Sequence, residues 1–193
     1  RVLFRSNFRL DFDIDGQANS VEQIDTQSSP GVYGNGFRHV ESDIVTEGWR
    51  DGNESSVRSF TVRSTSRRNR LQHPTGYSLR PGNYSPPFSA PNFPPLGRAE
   101  FAKHSVWVTR YHEGELYAAG DHSFQGTAGA GLPAYIGNGE SLQGQDVVLW
   151  HTISFTHHPE PEEYPVMNLE TLGFKLKPDN FFDQNPALDL PKR

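Results

Sequence analysis

Residues 146–165, Asp-Val-Val-Leu-Trp-His-Thr-Ile-Ser-Phe-Thr-His-His-Pro-Glu-Pro-Glu-Glu-Tyr-Pro, constrain the fold most. A carboxylate opens the stretch. A β-branched and aromatic run follows, which predicts a buried or half-buried strand. The run ends in His157 and His158, and a proline-broken acidic loop comes next. Side chains of a strand alternate between faces. Val147, Leu149, His151, Ile153, Phe155 and His157 therefore share one face, and Val148, Trp150, Thr152, Ser154, Thr156 and His158 the other. An imidazole at the end of a stiff strand is held well enough to bind a metal. Terminal histidines that simply meet water are the plainer reading.

Other segments carry the same alternation. In residues 6–15, Phe8, Leu10, Phe12 and Ile14 face one way and Arg9, Asp11, Asp13 and Asp15 the other, before a turn at Gly16. Three aspartates on one face repel each other. A solvated face tolerates this, and a hard cation with an oxygen shell would neutralise it. Residues 17–36 are polar and turn-rich and predict a loop or hairpin end. Strands are expected at 37–47, 57–65, 77–80, 106–111 and 168–177, with a short helix at 98–104. Arg67, Arg68 and Arg70 read as a solvated turn. Residues 81–97 hold six prolines, which keeps them out of a central sheet. Residues 126–131, Gly-Thr-Ala-Gly-Ala-Gly, lack the strand-turn-helix setting of a dinucleotide fingerprint. This many strands with so little helix predict an all-β fold of packed antiparallel sheets with long loops.

The chain of 193 residues is long enough for one sizeable domain. A net charge of -5 with both signs interspersed argues against nucleic acid as a partner. No apolar run approaches the roughly 20 residues that cross a bilayer, so no membrane partner is expected. The absence of cysteine excludes disulfides, zinc–thiolate sites and thiol nucleophiles. Only 34% of residues are hydrophobic, thin for a lone globule. Part of the core is expected from further chain or from a second subunit.

Seven segments in order give the chain a family resemblance. They are Phe8-Arg-Leu-Asp-Phe-Asp-Ile-Asp-Gly16, Ala102-Lys-His-Ser-Val-Trp-Val-Thr-Arg-Tyr111, Glu115-Leu-Tyr-Ala-Ala-Gly120, Asp146-Val-Val-Leu-Trp150, Thr156-His-His-Pro159, Glu162-Glu-Tyr-Pro-Val-Met167, and Leu176-Lys-Pro178 with Asn180-Phe-Phe-Asp183. Together they resemble the C-terminal part of the catalytic domain of copper amine oxidases, with a fungal flavour. The resemblance implies a large distorted antiparallel β-sandwich, incomplete here, over residues 7–193. It implies oxidation of a primary amine by O2 to aldehyde, ammonia and hydrogen peroxide, with copper and topaquinone as cofactors and a homodimer as the assembly.

By the same resemblance His157 is the third copper ligand. The other two ligands form a His-x-His pair that falls at positions 2 and 4, where this chain has Val2 and Phe4. Residues 1–6 therefore read as a truncation junction or non-native sequence. The cofactor tyrosine and the catalytic aspartate lie upstream in the family, so the fragment alone is expected to be inactive. A peripheral cation site, for calcium, is implied at Asp11, the Phe12 carbonyl, Asp13, Asp146 and the Val147 carbonyl. A second is implied at Glu47, Tyr135, Asn138 and Glu140, with Asn138 replacing an acidic residue.

A non-catalytic, calcium-stabilised β-sandwich that binds or scaffolds is the alternative. A mononuclear metal site using His151 and His157 is disfavoured, because six residues along a strand separate them by about 20 Å. Cytoplasm and peroxisome both stay open as compartments. The final Leu190-Pro-Lys-Arg193 is not a Ser-Lys-Leu type address.

Overall fold

The computed structural model describes residues 2–31, 34–90 and 92–190. Nine strands appear among them: β1 (Val2–Phe12), β2 (Asn19–Gly31), β3 (Gly34–Asp43), β4 (Gly48–Arg50), β5 (Ser59–Arg68), β6 (Pro74–Arg80), β7 (Val106–Arg110), β8 (Val147–His157) and β9 (Lys175–Asp179). They form two sheets, ordered β1-β8-β7-β4 and β3-β2-β5-β6-β9, with every strand pair antiparallel. Helix is confined to α1 (Pro94–Arg98), α2 (Leu132–Tyr135) and short 3-10 turns. The all-β sandwich expected from the alternation is the observed fold.

The main core lies between the sheets. Phe12, Val106, Val108, Val147 and Leu149 from the first sheet meet Val21, Phe60, Val62 and Leu79 from the second. A second apolar cluster covers the opposite face of the first sheet, where Trp107, Val148 and Trp150 pack with Leu132 of α2, Phe101 and Tyr135. Strand β8 is thus the middle layer of three, buried on both faces from Val147 to Ser154. That is why Val147–Trp150 form an unbroken apolar run, and why the polar His151, Thr152 and Ser154 that follow are buried too.

Several expectations are corrected. The strand expected over 6–15 runs from Val2 and stops at Phe12. Asp15 has φ 57° and Gly16 φ 105°, so the chain turns there. Asn19 closes that turn, its Nδ2 donating to the carbonyls of Phe12 at 3.2 Å and Gly16 at 3.0 Å. Asp13 and Asp15 therefore leave the strand face that Asp11 occupies. Residues 2–6 extend β1 alongside β8.

The loop expected at 17–36 is instead the long strand β2 and the start of β3, and the strand expected at 37–47 ends at Asp43. Both strands are mostly polar, and they pair with each other from Glu22–Asp43 out to Gly31–Gly34. Val21 packs in the main core, but beyond it cross-strand pairing rather than a buried face specifies the two strands, so little apolar period marks β2. The strand expected at 57–65 lies at 59–68, and the one at 168–177 shrinks to Lys175–Asp179. The helix expected at 98–104 is α1 followed by a 3-10 turn at Glu100–Lys103. Among the described residues no helix is long and apolar enough to cross a membrane.

Candidate metal positions at the ends of the first sheet

His157 is the last residue of β8 and is buried, 5% exposed. Its Nε2 lies 2.9 Å from Oε2 of Glu163, yet without the alignment of a hydrogen bond. The 3-10 turn Pro161–Glu163 brings that carboxylate back, and Glu163 Oε2 accepts the N–H of Glu160 at 3.0 Å. Prolines 159 and 161 and the acidic turn thus fold over the strand end. His158, on the other face, is exposed.

The ladder partner of His157 is Val2, and the next pair on the same face is Phe4 with Phe155. The Phe4 ring stacks on Phe155 at 5.0 Å. The family resemblance puts a His-x-His pair at positions 2 and 4, and there this chain has a valine and a phenylalanine, which carry no metal donor. One imidazole does not make a three-histidine copper centre, and the residues present do not fit that ion. Among the described residues no group of three His, Asp or Glu side chains is arranged to hold a metal.

His151 is fully committed inside the core. Its Nδ1 donates to the Ser105 carbonyl at 2.8 Å, and its Nε2 accepts the Gly82 N–H at 3.0 Å. Burial pushes its pKa down, so the ring is held neutral.

At the other end of the β1–β8 ladder, Phe12 pairs with Val147 and Asp11 with Val148. This places Asp11, Asp13 and Asp146 near one another. Burial first, then the charges of Asp11 and Asp13, raise the Asp146 pKa. Asp146 Oδ1 is buried with no hydrogen-bond partner. Asp11 turns instead toward Arg9, whose NH1 lies 2.9 Å from Oδ2. Asp146 thus keeps an orphaned carboxylate oxygen with two further carboxylates nearby, although the three side chains are not arranged around an ion in this structure.

The second acidic group is built differently. Glu47 is buried, and its Oε1 and Oε2 accept the N–H groups of Arg110 at 2.8 Å and Glu140 at 3.3 Å. Burial raises its pKa. Glu140 Oε2 lies 2.6 Å from His112 Nε2 and accepts from Asn138 Nδ2 at 3.1 Å, while Arg110 NH1 reaches Oε1 at 3.4 Å. The His112 hydrogen bond holds the Glu140 pKa below the usual carboxylate range. Tyr135 points elsewhere, its hydroxyl donating to the Tyr117 carbonyl at 3.1 Å. Sequence reasoning missed Arg110 and His112. Both lie at the end of β7 and reach Glu140 only across the loop before β8, so no local spacing announced them.

Comparison with known proteins places this arrangement. The family pattern described as "Copper amine oxidase, enzyme domain" matches residues 5–193, which leaves positions 2 and 4 outside the match. The chain is 41% identical over 189 residues to the histamine oxidase of Arthrobacter globiformis, covering 95% of this chain and 28% of that protein. It is 37% identical to copper amine oxidase 1 of Schizosaccharomyces pombe, again over 95% of this chain and 28% of that protein. A copper-containing benzylamine oxidase from Hansenula polymorpha superposes with a TM-score of 0.87 at 29% identity, covering 98% of this chain and 31% of that one. The chain therefore spans less than a third of the length of these relatives. It belongs to the copper amine oxidase family, as a stretch of the enzyme domain.

Proposed function

We propose that the chain is the C-terminal part of the catalytic domain of a primary-amine oxidase, acting with O2 and water to give aldehyde, ammonia and hydrogen peroxide. The observation that carries this reading is the family match over residues 5–193. Buried His157 at the end of β8 supports it, opposite the two positions where the family places its other copper ligands. Topaquinone would supply the amine-oxidising chemistry, and in the family its precursor tyrosine and the catalytic base lie upstream of the stretch this chain resembles. The residues of this chain perform no chemical step by themselves. They form the rigid sandwich that aims His157, and His157 alone falls short of a copper centre.

Two features fit a homodimeric parent. The core is thin, and Tyr164, Val166 and Leu169 are exposed by 87%, 77% and 91%. Asp11, Asp13 and Asp146, with the Phe12 and Val147 carbonyls, would hold a calcium ion that braces the sandwich. The second acidic group is less apt for an ion, because Arg110 and His112 already face Glu140.

A quinone stain and an amine-dependent peroxide assay on the native protein test this reading. The native protein is expected to be positive in both, and the 193-residue chain negative. A native protein without quinone, stabilised by calcium, would favour the non-catalytic scaffold reading, which rests on the orphaned Asp146 oxygen.

A further inference from the structure

Arg80 and Lys175 are direct partners at the end of the β6–β9 ladder, and Lys177 follows two residues along on the same face. Like charges opposed in this way destabilise a sheet. Two cations nearby are neutralised: Arg58, just before β5, is forked on Asp25 at 2.9 and 3.1 Å, and Arg63 of β5 pairs with Glu22. Arg80 and Lys175, by contrast, are exposed, and among the described residues neither has an ion-pair or hydrogen-bond partner.

The two cations stand on the wall of a cavity of about 800 Å³, which Asn53, Arg58, Tyr84 and Phe174 also line. Its shape is fixed by the backbone. A Cβ on Gly82 would overlap the Gly173 carbonyl, so the loops meet at bare glycine. Val57, also on the wall, is held at φ 48°, a conformation costly for a β-branched residue. Arg58 brings no free charge, since Asp25 and the Asp51 carbonyl occupy its guanidinium. Glu54 is the one carboxylate on the wall, and it opposes the two free cations.

We infer that this cavity binds a tetrahedral oxyanion, either phosphate or the phosphate head of a small phosphomonoester, with Arg80 and Lys175 as its charged donors. An arginine fork and a lysine ammonium at opposed positions match a dianion with several acceptor oxygens. A volume of this order accommodates a small organic body behind the head group. The inference does not depend on the amine-oxidase reading.

The test is a titration of the full chain with inorganic phosphate, and separately with glycerol 3-phosphate, at constant ionic strength. Backbone amide shifts of Val57 and Gly82 and the thermal midpoint are read together. Saturable shifts are expected with at least one ligand, and the tighter of the two identifies the source. Arg80→Ala with Lys175→Ala is expected to weaken binding by about tenfold or more, the loss of charge-assisted hydrogen bonds. Glu54→Gln is expected to tighten it, and Lys103→Ala to leave it unchanged. Equal effects of phosphate and chloride would overturn the inference, as would a double variant that binds as tightly as the unaltered chain.

Discussion

The rings of Phe4 and Phe155 lie parallel, 10° between planes, two ladder positions from the pair Val2 and His157. By the family resemblance position 4 is where a ligand imidazole is expected, and an apolar stack occupies it. Replacing Val2→His and Phe4→His together should create three imidazoles on one face and produce stoichiometric Cu(II) uptake, read by nitrogen hyperfine structure in the EPR spectrum. Loss of the stack should cost about 0.5–1.5 kcal/mol in the metal-free form. Copper binding no better than that of the unaltered chain would show that the ladder does not aim these positions at His157.

Asp146 should make stability depend on both pH and calcium. Its pKa is raised above 3.8 by burial and by Asp11 and Asp13, so ionising it disfavours the folded form. With chelator present, the Asp146 contribution is therefore favourable below 3.8 and is lost as pH rises through the higher folded-state pKa. Calcium should remove that loss, and Asp146→Asn should abolish both the acid-range slope and the calcium response. Thermal unfolding between acid and neutral pH, with and without calcium, checks this.

His151 carries the opposite dependence. Its folded-state pKa lies below the ordinary 6.5, so the unfolded chain takes up a proton first. Stability is full above 6.5 and is lost as pH falls from there through the folded-state value. His151→Leu should flatten that slope in urea titrations. It should also destabilise at neutral pH, by about 1–3 kcal/mol for each of the Gly82 and Ser105 groups left without a partner.

Arg63 sits among Glu22, Glu41 and Asp179, at 2.5, 3.8 and 3.6 Å. Burial still pushes the Glu22 pKa up despite that neighbour, helped by Glu41 and Asp43. Arg63→Met should therefore cost about 2–3 kcal/mol at neutral pH, the penalty of a charged group left unpaired. Adding Glu22→Gln should recover most of it. A double variant no more stable than the single one would assign the loss to packing of the arginine stem instead.

The sequence disclosed some parts of this molecule and hid others for physical reasons. Strand β8 was legible because both of its faces are buried, so its first four residues, Val147–Trp150, are all apolar, and β-branched or aromatic residues carry the run on. Strand β2 was not, because beyond Val21 it is specified by β3 across the ladder rather than by a buried face, whereas β3 was expected but with its bounds shifted. The turn at Gly16 was legible, but the end of β1 at Phe12 was masked by the alternation that continues through Ile14, which does pack in the core although it lies past the strand end. His157 and Asp146 were visible at the two ends of one stretch. Arg110 and His112 were not, since their approach to Glu140 is a product of the fold alone.

Strand β5 supports β2 only from Asn19 to Ile24, while β2 and β3 remain paired out to Gly31 and Gly34. The distal half is a bare two-stranded ribbon, held by its own rungs and by little apolar packing. Such a ribbon is marginal in water. Its amides should trade their hydrogens with solvent at a cost far below that of opening the whole domain, so the tip can fray and re-form while the three-layered centre stays shut.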